Sequence, residues 1–193
     1  FFFKQKTAYE ISTRDWSSDV CSSDLSLTSM IGGADEAYAR LQPLADTWSA
    51  FVVHTGGHGT GQAAKLCNNM LAGLHMAGLC LSLAAARRAG LSDAMLFDIL
   101  SRSTGDSRVL RARYPGPGVD DAHPANREYE ALFTLDLMTK DMELAEEFVA
   151  SMGLEPGLLE AATAVYHEAQ AEGLGVLDYS GLIRLGRLQE DEG

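Results

Sequence analysis

The chain has 193 residues, 46% of them apolar, enough to bury one sizeable core and a small second unit. Its 15 basic and 27 acidic residues give a net charge of -12, and no stretch gathers lysine and arginine into a stripe, which argues against nucleic acid as a partner. Three cysteines, Cys21, Cys67 and Cys80, are too few and too odd in number for a disulfide framework and match no four-ligand metal spacing, so a reducing, cytoplasmic setting is expected.

The first 25 residues, FFFKQKTAYEISTRDWSSDVCSSDL, sustain neither helical nor strand periodicity beyond a few positions. They are not a signal peptide, because the apolar residues precede the basic ones and no hydrophobic segment follows. The stretch closely resembles the translated remnant of a sequencing adapter fused to the open end of a gene. Residues 1–25 are therefore expected to be a non-native leader. Removing their three basic and four acidic residues leaves the charge argument intact.

Leu27 to Ile31 is a short apolar stretch closed by Gly32-Gly33. Asp35 then precedes a helical pattern through Ala37, Tyr38, Leu41 and Leu44, and Phe51 to His54 follows as a β-rich run. Strand, helix and strand make one α/β unit, yet a parallel sheet needs further strands to hide both faces. The pattern reads as the tail of an α/β domain whose remainder lies on the N-terminal side.

From Gly61 the apolar residues Ala63, Leu66, Met70, Leu74 and Ala77 recur at spacings of three and four, and the pattern continues to Arg88 before Gly90. A helix of that length is roughly 40 Å long and must pack on several elements or on a second chain. Its most apolar part, Met70 to Ala86, is interrupted by Gly73, His75, Gly78 and Ser82 and is expected to fall short of a membrane span. Ser92 is an N-cap candidate for a helix through Met95, Leu96, Ile99 and Leu100. Tyr114 to Gly118, with two prolines and two glycines, marks a loop. Phe133 to Met152 and Pro156 to Ala169 carry two more helical patterns, and Tyr179 to Ile183 a terminal turn. The fold class expected is mainly α, with a Rossmann-type remnant at residues 26–56, an all-α domain built on the long helix at 57–188, and an acidic tail at 189–193.

The richest segment is His54 to Asn69, with glycines at 56, 57, 59 and 61 between a strand and a helix. Its spacing is not the dinucleotide fingerprint G-x-G-x-x-G, and no acidic residue follows at the distance that holds a ribose. Lys65 is followed by Leu66, so it is not a phosphate-binding P-loop either. The glycines let backbone approach a ligand or a neighbouring strand closely, and the residues alone do not decide between these. Lys65, Asn68 and Asn69 lie at i, i+3 and i+4 and share one face of an otherwise apolar helix. Buried polar groups need partners, so this lysine either snorkels outward or is chemically employed. Both readings stay open on residue pattern alone. The five histidines form no H-x-x-H or H-E-x-x-H pattern, so no metal site is expected, and Cys67 and Cys80 are expected in the core.

At this point the chain resembles the 3-hydroxyisobutyrate dehydrogenase family, a branch of the β-hydroxyacid dehydrogenases related to 6-phosphogluconate dehydrogenase. The family's Gly-rich turn leading to Lys, two residues and Asn-Asn is matched by Gly59, Gly61, Lys65, Asn68 and Asn69. The resemblance extends to Leu27–Gly33, to Phe133-Thr-Leu-Asp-Leu-Met-Thr-Lys-Asp-Met-Glu-Leu-Ala145 and to Leu177-Asp-Tyr-Ser-Gly-Leu-Ile183. It implies a subunit with a Rossmann domain in front and an all-α domain behind. The dinucleotide fingerprint and a substrate-binding Ser-Gly-Gly turn should then precede Leu27, and the chain reads as a gene fragment.

The resemblance also implies an oxidoreductase moving a hydride between a small 3-hydroxy acid and NAD or NADP. Lys65 would be the general acid/base and Asn69 its catalytic neighbour, with Asn68 and Gly59 at the substrate. Lys140 and Phe133 would contact the cofactor. From composition alone Lys140 is a solvated helix lysine, and Asp141 either orients it or caps local backbone. A homodimer or homotetramer through the helical domain is implied. Relatives acting on tartronate or succinic semialdehyde share these motifs, and so do imine reducers, although those usually lack the lysine. A non-catalytic helical dimerisation module is the competing reading for the fragment alone.

Overall fold

The structure is a computed structural model that describes residues 27–189. The leader 1–25 and the tail from residue 190 lie outside the described residues. Strand β1 (Leu27–Gly32) is joined by helix α1 (Asp35–Ala45) to strand β2 (Ser49–Gly56). The strands pair in parallel, Ser29 opposite Val52 and Ile31 opposite His54. A crossover helix between parallel strands is the β-α-β unit expected from the pattern.

Helix α2 (Thr60–Arg88) leaves this unit and is followed by α3 (Asp93–Leu100), α4 (Arg108–Arg113), α5 (Leu135–Ser151) and α6 (Gly157–Ala171). A 3-10 turn at Tyr179–Arg184 closes the domain. Ser92 caps α3 as expected, its Oγ accepting from Met95 N. Ser107 and Thr134 cap α4 and α5 in the same way, accepting from Leu110 N and Leu137 N. Helix α4 escaped the sequence reading because six residues are too few to show a period.

The glycines around α2 set two close approaches. A Cβ on Gly61 would fall 2.7 Å from the Met30 carbonyl oxygen and 3.1 Å from Gly32 N. The start of α2 is thus laid against the end of β1 with no side chain between them. Gly61→Ala is expected to force these backbones apart at a cost of about 1–3 kcal/mol, read as a lower urea midpoint. An unchanged midpoint would mean that the two segments separate freely. At the second approach, Gly73 lies under α5, where an added Cβ would overlap the Met142 thioether and come within 3.2 Å of Met138 Sδ. Tyr166 Oη on α6 donates to the Gly73 carbonyl at 2.9 Å, so three helices meet at one residue.

The core gathers Met76, Leu79, Cys80 and Leu83 of α2, Leu135, Met138 and Met142 of α5, Leu159 and Tyr166 of α6, and Leu182, Ile183 and Leu185 of the closing turn. Burial pushes the Cys80 thiol well above its usual range and the Tyr129 phenol up to about 12, with Tyr129 Oη donating to Pro115 O at 2.8 Å. The loop at Tyr114–Gly118 is irregular as expected, but its first three residues are buried.

Two features of α2 differ from what its residue pattern predicts. Cys67 is exposed, because it shares with Leu71 a side of α2 that no described element covers. Helix α2 also meets the length and composition of a membrane span, with mean hydropathy 1.4 over its best 18 residues. The interruptions at His75 and Ser82 do not outweigh the leucines and alanines around them. In the structure this helix is the hub of the fold and packs on β1, β2, α3, α4, α5, α6 and the closing turn.

Candidate active site

Gly59 immediately precedes helix α2, and its φ of +86° is left-handed backbone that favours glycine. The turn before it is tied by Thr60 Oγ1, which donates to Gly57 O at 2.7 Å and lies 2.9 Å from Thr55 Oγ1. Lys65 follows in the second turn. Lys65 and Asn69 are half-buried and Asn68 is exposed, so the polar face runs from the surface into the cleft toward α5.

There the structure adds a residue. Asn69 Nδ2 donates to Asp141 Oδ2 of α5 at 2.7 Å, and Asn68 Nδ2 donates to Asn69 Oδ1 at 3.1 Å. Both asparagines and this carboxylate therefore form one hydrogen-bonded chain across the α2–α5 contact, with Lys65 one turn before Asn69 on the same face of α2. The sequence pattern offers Asp141 only Lys140 or local backbone as partners, because nothing in a periodicity reports a partner 72 residues away.

Lys140 is exposed and, one step along α5, points about 100° away from Asp141 around the helix axis. Phe133 is not part of α5. It precedes the capping residue Thr134 and is 6% exposed, its ring meeting the Tyr179 ring edge-on at 6.0 Å. Gly59 is exposed at the mouth of the turn. The structure thus brings Lys65, Asn68 and Asn69 together, sets Lys140 on the neighbouring helix, and places Phe133 in the core beneath the start of that helix.

A second feature went unread in the sequence. Asp178 is 0% exposed and Arg113 5% exposed, and they form a short ion pair. Asp178 also accepts from Leu132 N at 3.2 Å, Phe133 N at 3.1 Å, Ser180 N at 3.1 Å and Ser180 Oγ at 2.7 Å. The guanidinium lies over the Tyr179 ring, 5.2 Å from its centroid. One carboxylate therefore fixes the strand-like lead into α5, the closing turn and α4. A lone aspartate inside the apolar run Leu177 to Ile183 was the available signal, since a buried charge needs a counter-ion.

A parallel β-α-β unit thus feeds a long helix that carries Lys65, Asn68 and Asn69 on one face and is tied through Asn69 to a second helix. The sequence model of the family described as "NAD-binding of NADP-dependent 3-hydroxyisobutyrate dehydrogenase" matches residues 59–186. The chain belongs to this family. It is 36% identical over 165 residues to the 3-hydroxyisobutyrate dehydrogenase of Pseudomonas aeruginosa, covering 83% of this chain and 55% of that protein. It is 33% identical over 159 residues to the NAD-dependent L-serine dehydrogenase of the same organism, covering 82% and 53%. The solved 3-hydroxyisobutyrate dehydrogenase of Mycobacterium tuberculosis with L-serine superposes at a TM-score of 0.78 with 32% identity, over 83% of this chain and 55% of that one. The chain spans about half the length of the curated relatives it matches.

Proposed function

We propose that this chain is the helical, catalytic part of an NAD(P)-dependent oxidoreductase that interconverts a small 3-hydroxy acid and its carbonyl form. The observation that carries the reading is the hydrogen-bonded chain Asn68–Asn69–Asp141 across the α2–α5 crossing, with Lys65 one turn before Asn69 on the same helix face, inside the span that matches the family. A lysine next to a carbinol can take the hydroxyl proton in one direction and return it in the other, which is general acid/base work. Asn69, one turn on, holds the reacting group in place, and Asn68 with the backbone at Gly59 flanks the substrate. The bound nicotinamide supplies the hydride acceptor. Lys140 is exposed and suits an anionic cofactor, while buried Phe133 supports the wall behind it.

We also propose, from the resemblance, that a nucleotide-binding domain precedes Leu27 in the whole protein, that residues 26–56 complete it, and that residues 1–25 are foreign to it. Sequencing the native locus checks this: a strand, G-x-G-x-x-G and helix upstream are expected, and a gene starting near Leu27 would contradict it. Leu71 and Leu81, 50% and 61% exposed on α2, support association of the helical domain with a second copy.

The relatives include one named for 3-hydroxyisobutyrate and one for L-serine, so these are the substrates to compare. In an enzyme with a nucleotide-binding domain ahead of Leu27, oxidation of at least one by NAD or NADP is expected. Absence of turnover with both substrates and both cofactors, in a folded protein that binds the cofactor, would overturn the assignment.

A further inference from the structure

Glycines at 56, 57, 59 and 61 would ordinarily make a loose joint between β2 and α2, because glycine resists little backbone rotation. The packing makes this joint tight. A Cβ on Gly32 would fall 2.7 Å from Gly57 O, 2.7 Å from Thr60 Oγ1 and 2.8 Å from Gly61 N. Together with the overlap of a Gly61 Cβ on Met30 O, this shows the end of β1 and the start of α2 interlocked backbone to backbone. Hydrogen bonds stitch the same place. Gly33 N donates to Gly56 O at 2.8 Å, and His54 Nε2 donates to Gly33 O at 2.9 Å. Thr60 Oγ1 closes the turn by donating to Gly57 O. A Cβ on Gly57 would meet nothing within 4 Å, so the close fit belongs to Gly32 and Gly61.

The interlock lies in line with the proposed site. Gly61, Lys65 and Asn69 are spaced by four, so they follow one another along one side of α2, each about 6 Å further on. The side that meets β1 at Gly61 thus carries Lys65 one turn later and reaches Asp141 of α5 through Asn69 two turns later. A helix passes a shift of its first turn on to the second, because each residue is bonded to the fourth before it. The proposed reaction needs two groups in register: the lysine on α2 and the nicotinamide in the domain to which β1 and β2 belong. Reacting atoms have to approach to about 3–3.5 Å, and a misplacement of about 1 Å can cost about 10²-fold in rate. The contact of Met30–Gly32 with Gly57–Gly61 sets that register.

We propose that Gly32 and Gly61 are positioning residues for the reaction: by letting the backbones of β1 and α2 touch, they fix Lys65 against the domain that carries the cofactor, and neither touches substrate or cofactor. This rests on the reading of Lys65 as the acid/base and of residues 26–56 as part of the nucleotide-binding domain. Gly61→Ala tests it in the enzyme with a nucleotide-binding domain ahead of Leu27, assayed well below its melting temperature. Its kcat with 3-hydroxyisobutyrate or L-serine is expected to fall about 10- to 100-fold. The cofactor dissociation constant, read from nicotinamide fluorescence, is expected to change by less than about threefold. Tyr166→Phe is the comparison, because it also loosens α2, at Gly73 O, but two turns beyond Lys65. That variant is expected to lower the urea midpoint and to leave kcat within about twofold of wild type. Equal falls in kcat in the two variants would mean a general loosening of α2 and overturn the proposal. Wild-type kcat in a folded Gly61→Ala protein, or a loss of cofactor affinity as large as the loss of kcat, would overturn it as well. If Gly61→Ala does not fold, Thr60→Val takes its place, since it keeps the side-chain shape and removes the hydroxyl that holds Gly57 O. A fall in kcat of about three- to tenfold at unchanged cofactor affinity then supports the positioning role, and wild-type kcat contradicts it. Wild-type kcat in Lys65→Ala is a separate result, which defeats the catalytic reading beneath and the proposal with it.

Discussion

Replacing Lys65 by alanine is expected to lower kcat by about 10²- to 10⁴-fold, with the melting temperature and cofactor affinity close to wild type. The size follows from what general acid/base help is typically worth. The separation from stability follows from position. Lys65 is half-buried at the edge of the α2–α5 contact, and the core that holds the two helices together begins beyond it, at Gly73 and Met76. Removal of the side chain therefore opens no cavity in the core. If the lysine instead holds a substrate carboxylate, KM rises and kcat stays. Asn69→Ala is expected to lower kcat less, since positioning without proton transfer leaves the lysine in place.

The largest effect on stability is expected at the Arg113–Asp178 pair. Both groups are buried, and removing one leaves an uncompensated charge in the core, which costs about 3–5 kcal/mol. Asp178→Ala should lie at the upper end, because it also strips acceptors from Leu132 N, Phe133 N and the Ser180 amide and hydroxyl. Arg113→Met should lie at the lower end, since the remaining carboxylate keeps those donors. Urea unfolding of the 193-residue chain measures both. A loss of less than about 1 kcal/mol in either variant would mean that water reaches the pair and screens it.

These two sites differ in how far the sequence revealed them. The long helix was legible because its apolar spacing runs for eight turns, and the strands because Gly-rich turns bound them. Lys65, Asn68 and Asn69 were legible as a face because helical geometry alone fixes i, i+3 and i+4. Asp141 and Asp178 were not, because their partners Asn69 and Arg113 come from other helices, and local pattern carries no information on which helices cross. The glycines were half legible. The pattern shows that backbone must come close to something, and the structure shows that for Gly61 this is β1 and for Gly73 it is the methionines of α5. Cys67 went wrong for a related reason: its apolar neighbours on α2 suggested a core, but the face it shares with Leu71 lies uncovered among the described residues.

Hydride transfer itself is the most direct measurement. An enzyme containing this chain behind a nucleotide-binding domain would be given 3-hydroxyisobutyrate or L-serine deuterated at the hydroxyl-bearing carbon, with NAD and with NADP. The predicted result is reduced cofactor carrying the substrate's deuterium, formed by the wild type and almost lost in a Lys65→Ala protein that melts normally. Cofactor reduction without transfer of the label, or undiminished transfer in a folded Lys65→Ala protein, would contradict it.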